Sequence, residues 1–331
     1  MTEIVQDLLN QTRKPSPQPV QLPRSARAGK DSPEAYTPDP GLVDAIRAAL
    51  VLRRPLLLTG EPGTGKTQCA NYLNWKLGYG PEALHFQAKS TSTARDLFYT
   101  YNTIGRFHAA QTREGSQDSV DYIKYNALGE AILRANPVDA VKKWLPKDFI
   151  HAGTPMQSVV LIDEIDKAPR DFPNDVLSEI ETMRFRIPEF DNIQLAAEPA
   201  FSPAVVITSN SEKNLPAPFL RRCVYYHIPK PDKVRFAEIL NARLKVDATL
   251  PLIGDALDFL MYLRGNEADL NKKPATAELL DWVLLLQANG AKPDQRLRDV
   301  RPIVAASLGA LIKDEGRDGK ELLNNFFDVK T

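Results

Sequence analysis

The run Gly60-Glu61-Pro62-Gly63-Thr64-Gly65-Lys66-Thr67 sets glycines, a lysine and a hydroxyl at the G-x-x-x-x-G-K-[ST] spacing of a phosphate-wrapping loop. Its glycines let the backbone curl so that successive N–H groups point inward, and a helix starting there adds its positive dipole end. Lys66 would reach the β- and γ-phosphates, and the Thr67 hydroxyl would hold Mg²⁺. Gly60 through Gln68 are therefore the candidate nucleotide contacts. A glycine turn that binds nothing is the plainer alternative. The flanks weigh against it, because residues 55–59 read as a short buried strand and residues 68–77 as a helix with Ala70, Leu73 and Leu77 on one face.

Three further groups could complete the chemistry. Residues 158–163 form an apolar strand that delivers Asp163 and Glu164 at its carboxyl end, the edge where open α/β sheets bind ligands. Asp163 could hold Mg²⁺ through water, and Glu164 could polarise a water for in-line attack on a γ-phosphate. Alone, such an acidic strand end is a weak signal, since many strands end in a solvated acid pair. Asn210 closes the strand over residues 204–208, and its amide can both donate to and accept from an attacking water. A turn or capping asparagine is the plainer account if that strand is taken alone. Finally, Arg221 and Arg222 directly precede a strand over 224–228, where an arginine could cross a subunit boundary to a neighbour's γ-phosphate. A solvated surface pair is the alternative.

These side chains need a frame. Strands alternate with helices as far as Pro229, and helices alone follow, over 233–244, 253–263, 276–287 and 300–312. That order implies a parallel α/β core followed by a separate α-helical lid. We expect a flexible proline-rich leader over 1–35, a nucleotide-binding core over 36–229, and the lid with C-terminal helices over 230–331. Within the core, 89–150 forms an insert with helical stretches at 92–99, 122–135 and 139–144, and 184–203 contains a hairpin. Residues 175–183 read as one helix.

Composition excludes several classes. Lys+Arg and Asp+Glu both number 42 in 331 residues, so no global field draws the chain to nucleic acid or acidic membranes. The basic pairs Arg53-Arg54, Lys142-Lys143, Arg221-Arg222 and Lys272-Lys273 are scattered along the chain. Cys69 and Cys223 lack paired spacing, which suits a reducing compartment, and the four histidines lie too far apart for a local metal signature. No apolar run approaches a membrane span and the first residues lack a signal-peptide core, so a cytoplasmic location is expected. No Asn-Lys-x-Asp guanine signature appears; the stretch 211–214 is not one.

In this order the four groups resemble the AAA+ ATPase superfamily. The stretches 57–67, 160–168 and 215–222 narrow the likeness to the MoxR-type AAA+ ATPases, over about Tyr36 to Gln287. The resemblance implies a P-loop NTPase core that hydrolyses ATP to ADP and phosphate with Mg²⁺, in a ring, often hexameric, with ATP at each subunit junction. It makes Lys66 and Thr67 the nucleotide loop, Asp163 and Glu164 the metal and water pair, and Asn210 the sensor. Arg222 is the first choice as trans arginine, with Arg221 second. The insert and hairpin fall where relatives face an axial pore and commonly engage a substrate or partner; the resemblance separately implies pairing with a protein that bears a von Willebrand factor A domain. One departure stands out: the lid arginine that follows a Ser-Pro pair in many relatives is replaced by Lys272-Lys273-Pro274-Ala275, where Lys273 offers a point charge without a planar fork.

A chaperone-like remodeller of a protein partner fits best. A nucleic-acid machine is one alternative, since the insert carries Tyr99, Tyr101, Arg106, Phe107, Arg113, Tyr122, Lys124 and Tyr125. Interleaved Asp96, Glu114, Asp118, Asp121 and Glu130 count against it. A slow-hydrolysing scaffold, motivated by the missing lid arginine, is another.

Overall fold

The computed structural model describes residues 32–112, 118–210, 215–265 and 268–329. The leader up to residue 31, Arg113, Glu114 and the stretch 211–214 lie outside them. The chain divides into two compact units, one spanning Pro38–Pro229 and one containing Lys230–Thr331 with the segment before Pro38.

The first unit is built on short apolar runs. β1 (Leu56–Thr59) and β5 (Val159–Asp163) are buried at every position, as strands covered on both faces of a parallel sheet must be. β8 (Ala204–Ser209) is nearly so, whereas β2 (Leu84–Gln87) and β9 (Val224–His227) alternate in exposure, as edge strands do. The five pair in the order β2-β5-β8-β1-β9, all parallel. Hence β8 separates the strand that leads into the glycine loop from the strand that ends in Asp163.

Helices cover this sheet. α1 (Pro40–Leu52) starts on proline, is capped by Asp39 accepting from the Leu42 N–H at 3.0 Å, and buries Leu42, Ile46 and Ala49. α2 (Lys66–Lys76) begins at the loop and buries Cys69, Ala70 and Leu73, but Leu77 beyond its end is partly exposed. Asn74, buried in α2, accepts from the Val159 N–H at 3.1 Å and donates to the Gly80 and Glu82 carbonyls, which ties the helix to the start of β5.

The insert departs from its helical reading. Residues 99–101 form β3 (Tyr99–Tyr101), which pairs antiparallel with β4 (Ile123–Tyr125) after α3 (Thr103–Thr112). Only α4 (Ala127–Arg134) remains of the expected helix over 122–135, whereas the expected stretch 139–144 is helical, as α5 (Val138–Val141) followed by a 3-10 turn over Lys142–Trp144. Tyrosine, threonine and isoleucine favour a pleated ribbon once a partner strand is available. The expected helix over 175–183 forms as α7 (Leu177–Thr182), preceded by the separate turn α6 (Phe172–Asp175). The hairpin forms as β6 (Arg184–Ile187) and β7 (Ile193–Ala196), and it buries Phe185 against Phe98, ring centroids 5.0 Å apart. α8 (Ala217–Arg222) then leads into β9.

The described elements of the second unit are all helices, joined by loops: a 3-10 turn at Pro33–Ala35, then α9 (Lys233–Leu244), α10 (Pro251–Arg264), α11 (Thr276–Ala288), α12 (Arg301–Leu311) and α13 (Gly319–Val329). Phe259, Trp282 and Phe326 meet in its core, and the Trp282 indole N–H donates to Ser307 Oγ at 2.9 Å. Lys273 donates to the Arg264 carbonyl at 2.9 Å and so caps the end of α10.

Gly129 in α4 lies against the insert's backbone: a Cβ there would stand 2.0 Å from the Phe98 carbonyl oxygen. Gly129→Ala should therefore destabilise, although alanine is the better helix former by about 1 kcal/mol. An overpacking cost of roughly 1–3 kcal/mol outweighs that gain, with a lower thermal midpoint as the readout. An unchanged or raised midpoint would show that α4 can move away from Phe98.

Candidate active site

The loop after β1 takes the shape its glycines permit. Gly60, Gly63 and Gly65 have φ of 146°, 78° and 90°, and a Cβ on Gly60 would stand 3.0 Å from the Ile228 carbonyl oxygen. Thr64 Oγ1 donates to the Glu61 carbonyl at 2.8 Å and pins the turn. Lys66, only 7% exposed, folds back so that its Nζ donates to the Gly60 and Glu61 carbonyls at 2.8 and 3.0 Å. Burial pushes its ammonium below the usual lysine range, against the pull of Asp163, Asp166, Glu164 and Glu61.

Facing the loop, the end of β5 brings up the acids. Thr67 Oγ1 donates to Asp163, 3.3 and 3.1 Å from its two carboxylate oxygens. Thr208 Oγ1, on β8, donates to Asp163 as well, and the His85 Nε2 lies 3.5 Å from its other oxygen. Burial opposes ionisation of Asp163, but the bonds from His85, Thr208 and Thr67 outweigh it and hold the carboxyl below the usual range. Glu164 turns out of the strand with φ 56°, a left-handed conformation rare for a non-glycine residue. Its N–H donates to Thr208 Oγ1 at 2.9 Å, while its carboxylate accepts from Gln87 and from Lys167 Nζ at 2.6 Å. Asn210 follows β8 and its N–H donates to Asp166 at 3.1 Å.

The folded chain thus gathers Lys66, Thr67, Asp163, Glu164 and Asn210 at the carboxyl edge of the sheet. Arg221 and Arg222 are not among them. They end α8, at the opposite edge, a four-residue strand or about 13 Å away along β9. Arg222 Nε pairs with Glu181 at 2.8 Å, while Arg221 is exposed and has no ion-pair partner among the described residues.

His85, Gln87 and Thr208 carry no role in the sequence reading. Their importance follows from strand order: the register sets Gln87 beside Asp163, and the alternation of β2 puts His85 on the same face. The hydroxyl of Thr67 and the carboxylate of Asp163 are hard oxygen donors, which fit Mg²⁺ rather than a softer metal. No group of three or more His, Cys, Asp or Glu suited to a metal occurs among the described residues. No helix among them is long and apolar enough to cross a membrane.

A glycine loop entering a helix, an acid ending a non-adjacent parallel strand and a strand between them define a P-loop nucleotide-binding core of the AAA+ type. The chain belongs to the AAA domain family, dynein-related subfamily, which it matches over residues 55–223. No curated protein sequence matches it. Solved structures similar to it include the Thermotoga maritima RuvB Holliday junction branch migration motor, 15% identical, over 88% of this chain and 74% of that one with a TM-score of 0.41. NtrX from Brucella abortus is 13% identical, over 91% of this chain and 62% of that one, with a TM-score of 0.46. Nothing about this chain's function follows from likenesses at that level.

Thr208, fully buried, donates to Asp163 and accepts from the Glu164 N–H, so Thr208→Val removes both bonds at nearly constant volume. We expect a stability loss of about 1–3 kcal/mol by thermal denaturation and weaker Mg²⁺-dependent nucleotide binding. Thr208→Ser should restore most of each. Equal behaviour of the valine and serine variants would remove the hydroxyl from the account.

Proposed function

We propose that this chain is a MoxR-type AAA+ ATPase that hydrolyses ATP to remodel a protein partner, assembled as a ring, most simply a hexamer, with ATP at each subunit junction. The observation that carries the ATPase reading is the meeting of Thr67 with Asp163 across strand β8, beside a buried Lys66. In this reading the N–H groups of Gly60–Gln68 cradle the phosphates, and Lys66 leaves the loop carbonyls to meet them. Thr67 and Asp163 would hold Mg²⁺, which when bound neutralises charge on the phosphate oxygens being separated.

Glu164 is the base that orients and polarises the attacking water, with Asn210 placed to hold that water from β8. Gln87 and Lys167 hold the Glu164 carboxylate to one side in the geometry described here, so the base must exchange those partners for water before attack. Arg222 supplies the trans charge to the neighbouring copy's γ-phosphate, with Arg221 beside it. The equal count of basic and acidic residues and the acids interleaved through the insert favour a protein over a nucleic acid as the object of the work. A partner bearing a von Willebrand factor A domain is the class the family resemblance supports.

Glu164→Gln should keep ATP binding and lower turnover by roughly 10²–10⁴-fold, measured as phosphate release under saturating ATP. Lys66→Ala should lose binding itself. If the glutamine variant turns over at the parental rate, Glu164 is not the base and the catalytic reading fails.

A further inference from the structure

Two basic pairs that stand far apart in the sequence meet in the fold. β1 and β9 pair in parallel with Leu56 opposite Val224, and the Val224 N–H donates to the Pro55 carbonyl at 2.8 Å. Arg53-Arg54 and Arg221-Arg222 therefore occupy equivalent places, two and three residues before that register, on the amino edge of the sheet. All four are exposed. Of these four, Arg222 alone has an ion pair among the described residues, to Glu181, while Arg53 donates weakly to the Ser202 carbonyl.

Proximity of the two pairs is visible in chemistry as well. Burial pushes the Cys223 thiol up to about 12, with the Arg54 charge acting to lower it and Glu181 to raise it. Each pair also closes a helix, α1 or α8, whose carboxyl end favours cations. That accounts for basic residues at each helix end, but not for both pairs standing on one strand edge, where Glu181 pairs with Arg222. Like charges held this close disfavour one another unless a polyanion meets them.

We propose that Arg54 is a second trans cation: in the assembled ring it meets, together with Arg222, the triphosphate bound by the neighbouring copy. This rests on the reading of Arg222 as the trans arginine. The same register that carries Arg222 to the boundary carries Arg54 beside it, and a triphosphate offers more charge than one guanidinium can satisfy. Arg222 contributes the fork nearest the transferred phosphoryl group, and Arg54 adds charge along the phosphate chain. Neither can serve its own subunit's loop, which lies at the carboxyl edge.

The test is ATP turnover by full-length Arg54→Gln, Arg54→Lys and Arg222→Ala, each checked for an unchanged thermal midpoint, alone and mixed with Lys66→Ala subunits. Loss of one preorganised donor predicts a kcat for Arg54→Gln lower by about 10²-fold, with the lysine variant recovering part of it. Mixing should restore activity, because Lys66→Ala subunits present intact arginines to the working sites of the Arg54→Gln subunits. Parental turnover by Arg54→Gln, or a loss that mixing does not restore, overturns the proposal. If Arg222→Ala loses activity while Arg54→Gln does not, only the second cation falls. If both turn over at the parental rate, the trans-arginine reading falls with it.

Discussion

A nearly buried carboxylate has to stay ionised a short way from a nearly buried ammonium, and the rest of the core serves that constraint. Asp163 is 8% exposed and Lys66 7%, so both have lost most of their hydration. They are not joined as a simple ion pair. Other groups hold each one: backbone carbonyls take the lysine, and two hydroxyls with the His85 imidazole take the aspartate. Hydrogen bonds with these partners hold both charged groups in place without joining them directly, which keeps the site preorganised.

Strand order makes this possible. Had β5 paired directly with β1, the acid would follow the loop strand with nothing between them. Instead β8 intervenes and supplies the hydroxyl of Thr208, with Asn210 directly after its end. Thr208 couples two consecutive residues by opposite uses of one oxygen, donating to the Asp163 side chain and accepting from the Glu164 backbone. That second bond helps to hold Glu164 in its left-handed conformation, which turns its carboxylate away from the strand direction towards Gln87.

What could be read from the sequence was whatever chemistry lies within a dozen contiguous residues. The glycine loop, the apolar strand ending in Asp163-Glu164, and the hairpin at 184–197 are local patterns, each with its own turn or strand signal, and the parallel core with a helical end followed from the order of such patterns. The residues that escaped notice owe their places to long-range register. His85 and Gln87 look like ordinary edge-strand polar residues until β2 is known to lie beside β5. The ribbon of β3 and β4 has no strand signal in the sequence, where β4 falls within an expected helix and most of β3 beyond one, because three-residue strands are too short to show a period of two; the cross-strand partner and Phe185 beneath hold it.

A parallel sheet has two chemically different edges, and this one uses the difference fully. Every core strand runs the same way, so all carboxyl ends share one edge, and there the loop amides, Lys66, Asp163, Glu164 and Asn210 collect. All amino ends share the other, where Pro55 and Cys223 align and bring four arginines together. The strands hold these edges about 13 Å apart, a separation no side chain in the core can close. The proposed trans role of the arginines requires the amino edge of one copy to face the carboxyl edge of the next, because one rigid sheet cannot bring its own two edges together. In the proposed assembly each copy would offer both surfaces, and a head-to-tail contact of that kind gives a ring where its rotation closes and an open filament where it does not.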